Sequence, residues 1–189
     1  MSNFDWCVYT YKHRKMLLYV IDKYIKDPRI KEEMLARAKV HDMDKMLMYL
    51  FMEQVETQMW HVSNKSHHLE SGKVHTYLDR LEMVLDYESA PYTKPDKPLN
   101  AYDFTKKLCD EGYIAETEAE PLFEIMHDLG IDHSYDATKD KEGMDFVASI
   151  GEVTWEMILM EVLKYVNENR TNELSIVENM LKRGENSHE

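Results

Sequence analysis

The chain has 189 residues, of which 43% are hydrophobic, and this fits one domain with a sizeable core. Its formal net charge of −13 argues against a nucleic-acid duplex as partner, because phosphate backbones are bound by clusters of lysine and arginine, and no apolar stretch approaches the ~20 residues that span a membrane. The N-terminus has no signal-peptide pattern, and Cys7 and Cys109 are too few for a disulfide framework, so the sequence predicts a cytoplasmic protein with reduced thiols.

Helical periodicity runs through most of the chain. Apolar residues recur three and four positions apart, and glycine and proline, which interrupt helices, number only 6 and 5. The pattern predicts helices at about 4–26, 29–41, 43–60, 72–89, 101–111, 116–129, 151–169 and 172–183. No run shows the β-branched alternation of a strand, so we predict an all-α protein.

Three segments lack this periodicity. Residues 61–71 are polar and are predicted to form a loop, and residues 90–100 contain three prolines and are predicted to form an extended connector. Residues 130–150 are polar and acidic. They are predicted to form a long loop, with a composition that would also suit a mobile lid.

Histidines and carboxylates concentrate in the first half of the chain. His41 and Asp42 are adjacent at the junction of two predicted helices. Imidazole and carboxylate groups, with water, form the usual ligand set of Zn, Fe, Mn or Mg. The other candidate ligands are, in chain order, His13, His61, His67, His68 and Asp86. Six or more such ligands suffice for two metal ions that share one bridging carboxylate.

In their order, these residues resemble the HD-domain superfamily of metal-dependent phosphohydrolases. Its two-metal members carry HDxGK, a further histidine, a histidine pair and an aspartate. More closely, the chain resembles an uncharacterised phage and bacterial family with an early HK or HR, HDxSK, a W-x-x-H or WxH element, an asparagine before an HH pair, and EMxxDW. The corresponding stretches here are His13-Arg14, HDMDK at 41–45, Trp60-His61, Asn64, His67-His68 and EMVLDY at 82–87.

The resemblance covers residues of about 10–90 and implies an HD-domain-like helical bundle. We expect a single helical domain at 1–189, with the metal-binding core at 1–90 and a helical elaboration or cap at 101–189. The chain departs from the pattern at Asp44, which replaces a small residue. No GYP motif follows the histidine pair, and the second half carries no motif of the superfamily.

The resemblance also implies which residues would ligate the metals. One ion would be held by His13, His41, Asp42 and Asp86. Asp42 would bridge to a second ion, which would be held by His61 and by either His67 or His68. The expected cofactor is thus a divalent metal, two ions of Mn, Fe, Mg or Zn.

Three residues carry the implied catalytic roles. Asp42 would hold the ions that activate a water. Lys45, one turn beyond His41, would point the same way and stabilise phosphate charge in the transition state. Glu82, with Asp44 as a further candidate, would orient an imidazole through its N–H group.

The expected function is hydrolysis of a small phosphorylated substrate. The resemblance implies a phosphohydrolase or phosphodiesterase acting on a nucleotide or a cyclic (di)nucleotide, in a bacterial cell or a phage-infected host. Two alternatives stay open: a degenerate HD module that binds a ligand or partner without catalysis, and a diiron HD-type oxygenase. Assembly into a homo-oligomer also stays open.

Overall fold

The computed structural model describes residues 1–69, 73 and 75–169, and in these residues the predicted all-α fold is confirmed. They contain one isolated bridge, between Leu99 and Asp136, and no strand. The α-helices are α1 (Asn3–Tyr24), α2 (Pro28–Val40), α3 (Met43–Met48), α4 (Gln54–Asn64), α5 (Tyr77–Thr93), α6 (Ala101–Asp110), α7 (Glu116–Leu129), α8 (Lys141–Ser149) and α9 (Trp155–Asn169). The helix predicted at 172–183 lies outside the described residues. Among the described helices, none is long and apolar enough to cross a membrane.

Two helices that carry candidate ligands, α1 and α5, begin at strong caps. The side chain of Ser2 accepts from the backbone of Asp5 to start α1, and Thr76 does the same with Asp79 to start α5. In both cases the aspartate also accepts from the cap residue, which completes a capping box. Asp27 caps α2, whose first residue is Pro28, a favourable position for proline.

The core forms around α1 and α5, which pack along each other at the centre of the molecule. Their apolar faces meet α2 and α7 in one cluster of buried side chains, represented by Leu17, Met34, Leu81, Leu85 and Leu122. A second cluster joins α1 to α3 and α9 and includes Cys7, Met46, Ile158 and Val162. The two helices that carry His13 and Asp86 are therefore held at the centre of the core.

The predicted helix at 43–60 is wrong, because the chain turns in its middle. The last turn of α3 tightens through i to i+3 bonds from Leu50 to Leu47 and from Phe51 to Met48. Glu53 is extended and precedes α4. The loop predicted from residue 61 likewise begins too early, since α4 continues to Asn64.

The predicted helix at 72–89 is displaced towards the C-terminus. The capping box at Thr76 sets its start at Tyr77, and Pro91 lies inside its last turn instead of ending it. The backbone N–H of Lys94 still reaches the carbonyl of Ala90, at 3.1 Å. The connector predicted at 90–100 therefore begins only at Lys94.

Residues 130–150 do not form the predicted long loop. They contain a short 3-10 helix (Ala137–Lys139) and α8, which packs against α1 and α5. The carboxylate of Asp140 caps α8 and also accepts from Lys23 at 2.6 Å and from Tyr92 at 2.8 Å. These contacts tie the segment to the core, so the lid interpretation is not supported.

At Gly143, helix α8 packs closely against Tyr92. We expect the replacement of this glycine by alanine to destabilise the fold. A Cβ atom there would overlap the ring of Tyr92, and overpacking costs about 1–3 kcal/mol. Alanine normally stabilises a helix over glycine by about 1 kcal/mol, so a lowered free energy of unfolding in urea would identify this contact. Ser149→Ala, on the exposed end of the same helix, should change stability by less than about 0.5 kcal/mol. A Gly143→Ala variant as stable as the parent would contradict the prediction.

Candidate metal centre

The centre is built on a tight turn between α2 and α3. Asp42 has φ 57°, and it is the one non-glycine residue with positive φ in the described ranges. Aspartate tolerates this left-handed conformation better than most residues. Arg14 of α1 fixes the turn, donating from Nε to the carbonyl of His41 at 2.8 Å and from Nη2 to that of Lys39 at 2.7 Å. The adjacent His41 and Asp42 side chains are thereby both directed into the protein, where each is buried.

The first ligand group joins this turn to α1 and α5. Nε2 of His13 lies 2.6 Å from Oδ1 of Asp86, and Nε2 of His41 lies 3.2 Å from the same oxygen. Nε2 of His41 is also 3.6 Å from Oδ1 of Asp42. Ligand atoms of His13, His41 and Asp42 all lie within 4.8 Å of one another. With Asp86, these are the residues that the resemblance to HD-domain proteins assigns to the first ion.

The second ligand group comes from α4 and the turn that follows it. His61, His67 and His68 are buried, and each has one ligand atom within 4.8 Å of the others. In the described part of the chain, their Nε2 atoms have no hydrogen-bond partner. The sequence left open whether His67 or His68 ligates, and the structure places both beside His61.

Asp42 connects the two groups. Its Oδ1 lies 3.1 Å from Nε2 of His61, yet neither atom has a hydrogen-bond partner among the described residues. Two ligands of one ion, each about 2.1 Å from it, are separated by about 3.0–3.4 Å in octahedral or tetrahedral geometry. A buried, unbonded oxygen and nitrogen at this separation fit a shared divalent ion.

In His41 and His61, the Nδ1 atom of the imidazole contacts a carboxylate. Nδ1 of His41 is 2.9 Å from Oε1 of Glu82, and Nδ1 of His61 is 2.6 Å from Oδ2 of Asp44. A carboxylate that accepts from Nδ1 leaves Nε2 to face a metal. Glu82 and Asp44 thus occupy the positions expected of residues that orient an imidazole.

The remaining Nδ1 contacts are weaker and come from the same face of α5. Nδ1 of His13 lies 3.3 Å from the hydroxyl of Ser89, and Nδ1 of His67 lies 3.4 Å from Glu82. Arg37 donates to Glu82 at 3.2 Å and to Asp79 at 2.9 Å. The sequence reading missed Ser89 and Arg37. The spacing of Ser89 from Glu82, seven residues on one helix face, was the available signal.

Opposite charges balance within the first group. Burial alone would lower the pKa of His41, but the charges of Asp42 and Asp86 outweigh it and raise that pKa well above its usual value. Burial also opposes ionisation of the two carboxylates. Lys45 and His41 at Asp42, and His41 and His13 at Asp86, outweigh it and hold both pKa values well below the usual range. Both carboxylates are therefore ionised at neutral pH, as metal ligands must be.

In the second group, His67 and His68 are neutral instead. Burial, together with the neighbouring charge of His41, lowers the pKa of His67 well below its usual value. Burial and the neighbouring His61 lower the pKa of His68 to about 3. Both imidazoles are uncharged at neutral pH, and a neutral imidazole is the form that binds metal.

Lys45 reaches the centre by a different route from the one predicted. It lies on α3, whereas His41 follows the end of α2, so the two do not share a helix face. Its Nζ donates to Oδ2 of Asp42 at 3.0 Å. Burial would lower the pKa of Lys45, but Asp42 and Asp86 raise it above its usual value. Lys45 is therefore a cation next to the central carboxylate.

Fold and site together define an all-α protein with a buried histidine–carboxylate cluster that could hold metal ions. Comparison with family models, with curated proteins and with solved structures finds no match to the chain. The resemblance to HD-domain proteins rests on the ordered motif residues alone, and the activity that it implies is a proposal.

Proposed function

We propose that the chain is a metal-dependent phosphohydrolase or phosphodiesterase that acts on a nucleotide or a cyclic (di)nucleotide. The observation that supports this most is a cation beside a metal-binding cluster. Lys45 donates to Asp42, and Asp42 lies between two groups of histidines. A phosphoryl group needs both kinds of partner, metal ions for its oxygens and a fixed cation for the charge that develops on them.

The residues divide between two ions. One would be held by His13, His41, Asp42 and Asp86. The other would be held by Asp42, His61, His67 and His68. Divalent ions in such a site polarise a phosphoryl oxygen and lower the pKa of a bound water towards neutrality.

The chain itself would contribute orientation and charge. Glu82 and Asp44 would fix the metal-binding tautomers of His41 and His61, because each accepts from Nδ1, and binding of an ion would release the second proton of His41. Lys45 would stabilise negative charge on the phosphoryl oxygens. The burial of these groups strengthens the interaction, because electrostatic forces are larger where water is excluded.

The position of Lys45 also favours hydrolysis over the two alternative functions, the diiron oxygenase and the binding module. A site for an uncharged substrate of a diiron oxygenase would gain little from a lysine held in place beside its ligands. A binding module without catalysis would not need Nε2 atoms of three buried histidines left without hydrogen bonds among the described residues, since unpaired buried polar groups cost about 1–3 kcal/mol each. Hydrolysis of a phosphate ester uses both features.

The test combines elemental analysis with a phosphate-release assay on nucleoside phosphates and cyclic nucleotides, after loading with Mn, Fe or Mg. We expect about two metal ions per chain, as two ligand groups require, and turnover of at least one nucleotide. Absence of turnover in a metal-loaded sample would reject the hydrolase proposal. Oxygen consumption by an iron-loaded sample would favour the oxygenase, and failure to load any metal would favour the binding module.

A further inference from the structure

Lys94 is a further lysine near the cluster, and it was not predicted from the sequence. It follows the last residue of α5, the helix that carries Glu82 and Asp86. Its ammonium lies 4.6 Å from the ring centroid of Tyr9. The Tyr9 ring is in turn stacked on the imidazole of His13, with centroids 5.8 Å apart and planes 9° from parallel. Tyr9 therefore contacts both the ammonium of Lys94 and a candidate metal ligand.

The charge of Lys94 is not balanced in the way that other cations of the site are. Lys45 is paired with Asp42, and Arg37 with Glu82. Lys94 makes no ion pair with a carboxylate in the described residues, and its ammonium is held by the Tyr9 ring through a cation–π contact.

The surroundings of Lys94 favour an incoming anion. Burial of the ammonium lowers the pKa of Lys94, and the positive charge of Lys45 lowers it further, although Asp86 acts in the opposite direction. A cation that is partly removed from water and has positive charge in its surroundings is destabilised. The residue as a whole is exposed, so a ligand can reach it, and an anion bound to Lys94 would relieve this cost.

We propose that Lys94 binds a second anionic group of the substrate, next to the phosphoryl group taken by the cluster and Lys45. This inference rests on the proposed function of the cluster and narrows its substrate class. The substrate would carry at least two adjacent phosphoryl groups, as in a nucleoside diphosphate or triphosphate. A monophosphate would leave Lys94 without a ligand.

Calorimetric titration of two non-hydrolysed probes tests this directly. Inorganic phosphate offers one phosphoryl group, and imidodiphosphate offers two. Both are titrated into wild type, Lys94→Met and Lys106→Met in one Mn²⁺ buffer, with the heat of each probe in buffer alone subtracted. Lys106 is exposed on α6, so its replacement removes the same unit of charge elsewhere on the protein.

We expect Lys94→Met to weaken imidodiphosphate binding by about 10-fold or more, the effect of losing one charged hydrogen bond. Phosphate affinity should change less than about twofold, and Lys106→Met should leave both affinities within the same limit. Lys94→Arg should restore most of the imidodiphosphate affinity, because the positive charge is kept. Circular dichroism of each variant verifies that the helical fold is retained.

Three outcomes would overturn the role of Lys94: an unchanged imidodiphosphate affinity in Lys94→Met, an equal loss for both probes, or no binding of imidodiphosphate by wild type. The readout does not depend on turnover. Lys94-dependent binding without phosphate release from any nucleotide would reject the hydrolase proposal and keep the anion subsite. Turnover that is independent of Lys94 would keep the hydrolase proposal and reject the anion subsite.

Discussion

Replacement of Asp42 by asparagine is expected to empty the cluster of metal and abolish hydrolysis while leaving the fold intact. Oδ1 of Asp42 lies 3.1 Å from Nε2 of His61 and 3.6 Å from Nε2 of His41, so a neutral amide removes the one charge that both histidine groups share. Loss of an outer partner of a ligand already costs about 10–100-fold, and we expect activity to fall by more than that. Elemental analysis and the phosphate-release assay measure the two effects.

Asparagine is the informative replacement because of the backbone at this position. Residue 42 has φ 57°, and asparagine adopts the left-handed region readily. Alanine would add backbone strain of about 1 kcal/mol or more, and its effect would mix folding with chemistry. Asp110→Asn, on the exposed end of α6, is the matched control and should keep both metal and activity. Full metal content and full turnover in Asp42→Asn would contradict the bridging role.

The helices were predictable where local patterns determine them. The spacing of apolar residues and the Asp27-Pro28 boundary identify α1 and α2 closely. The break after α3 was not predictable, because apolar and helix-favouring residues continue through it. The turn to α4 brings His61 towards Asp42, a contact between residues far apart in sequence.

Helix α8 was missed for a related reason. It is short, begins with two charged residues and contains Gly143, which lowers helix propensity. What stabilises it is tertiary: the cap at Asp140 is shared with Lys23 and Tyr92, and Gly143 permits the close approach to Tyr92. Propensity is a weak guide where such contacts decide the structure.

The candidate ligands could be named from their order, and the structure brings all seven of them into one cluster, together with Glu82 and Asp44. Their partners could not be named. The pairing of Nδ1 with a carboxylate or hydroxyl in His13, His41, His61 and His67 depends on how α4 and α5 are placed around the turn at Asp42. The position of Lys94 near the cluster was not predictable either, because Lys94 contacts Tyr9 on α1 and Tyr9 in turn stacks on His13.

Metal loading is expected to raise the melting temperature of the protein by about 5–10 °C for each occupied site. An ion that binds only the folded state at 100 times its Kd stabilises it by about 2.7 kcal/mol, and each kcal/mol raises the melting temperature of a chain of this size by about 2–4 °C. Calorimetry of chelator-treated protein titrated with Mn²⁺ measures the shift.

The size of this shift separates a built site from incidental binding to an acidic protein. In His61→Ala the second group loses the imidazole nearest Asp42, so part of the shift should disappear, whereas His133→Ala, at an exposed position, should keep all of it. A shift below about 1 °C in wild type, or one of equal size in His61→Ala, would show that the buried imidazoles do not bind the ion. A full shift in a protein that hydrolyses no nucleotide would support the metal centre and reject the hydrolase proposal. Affinity for the ion requires the ligands alone, whereas turnover also requires Lys45 and a phosphoryl group beside it.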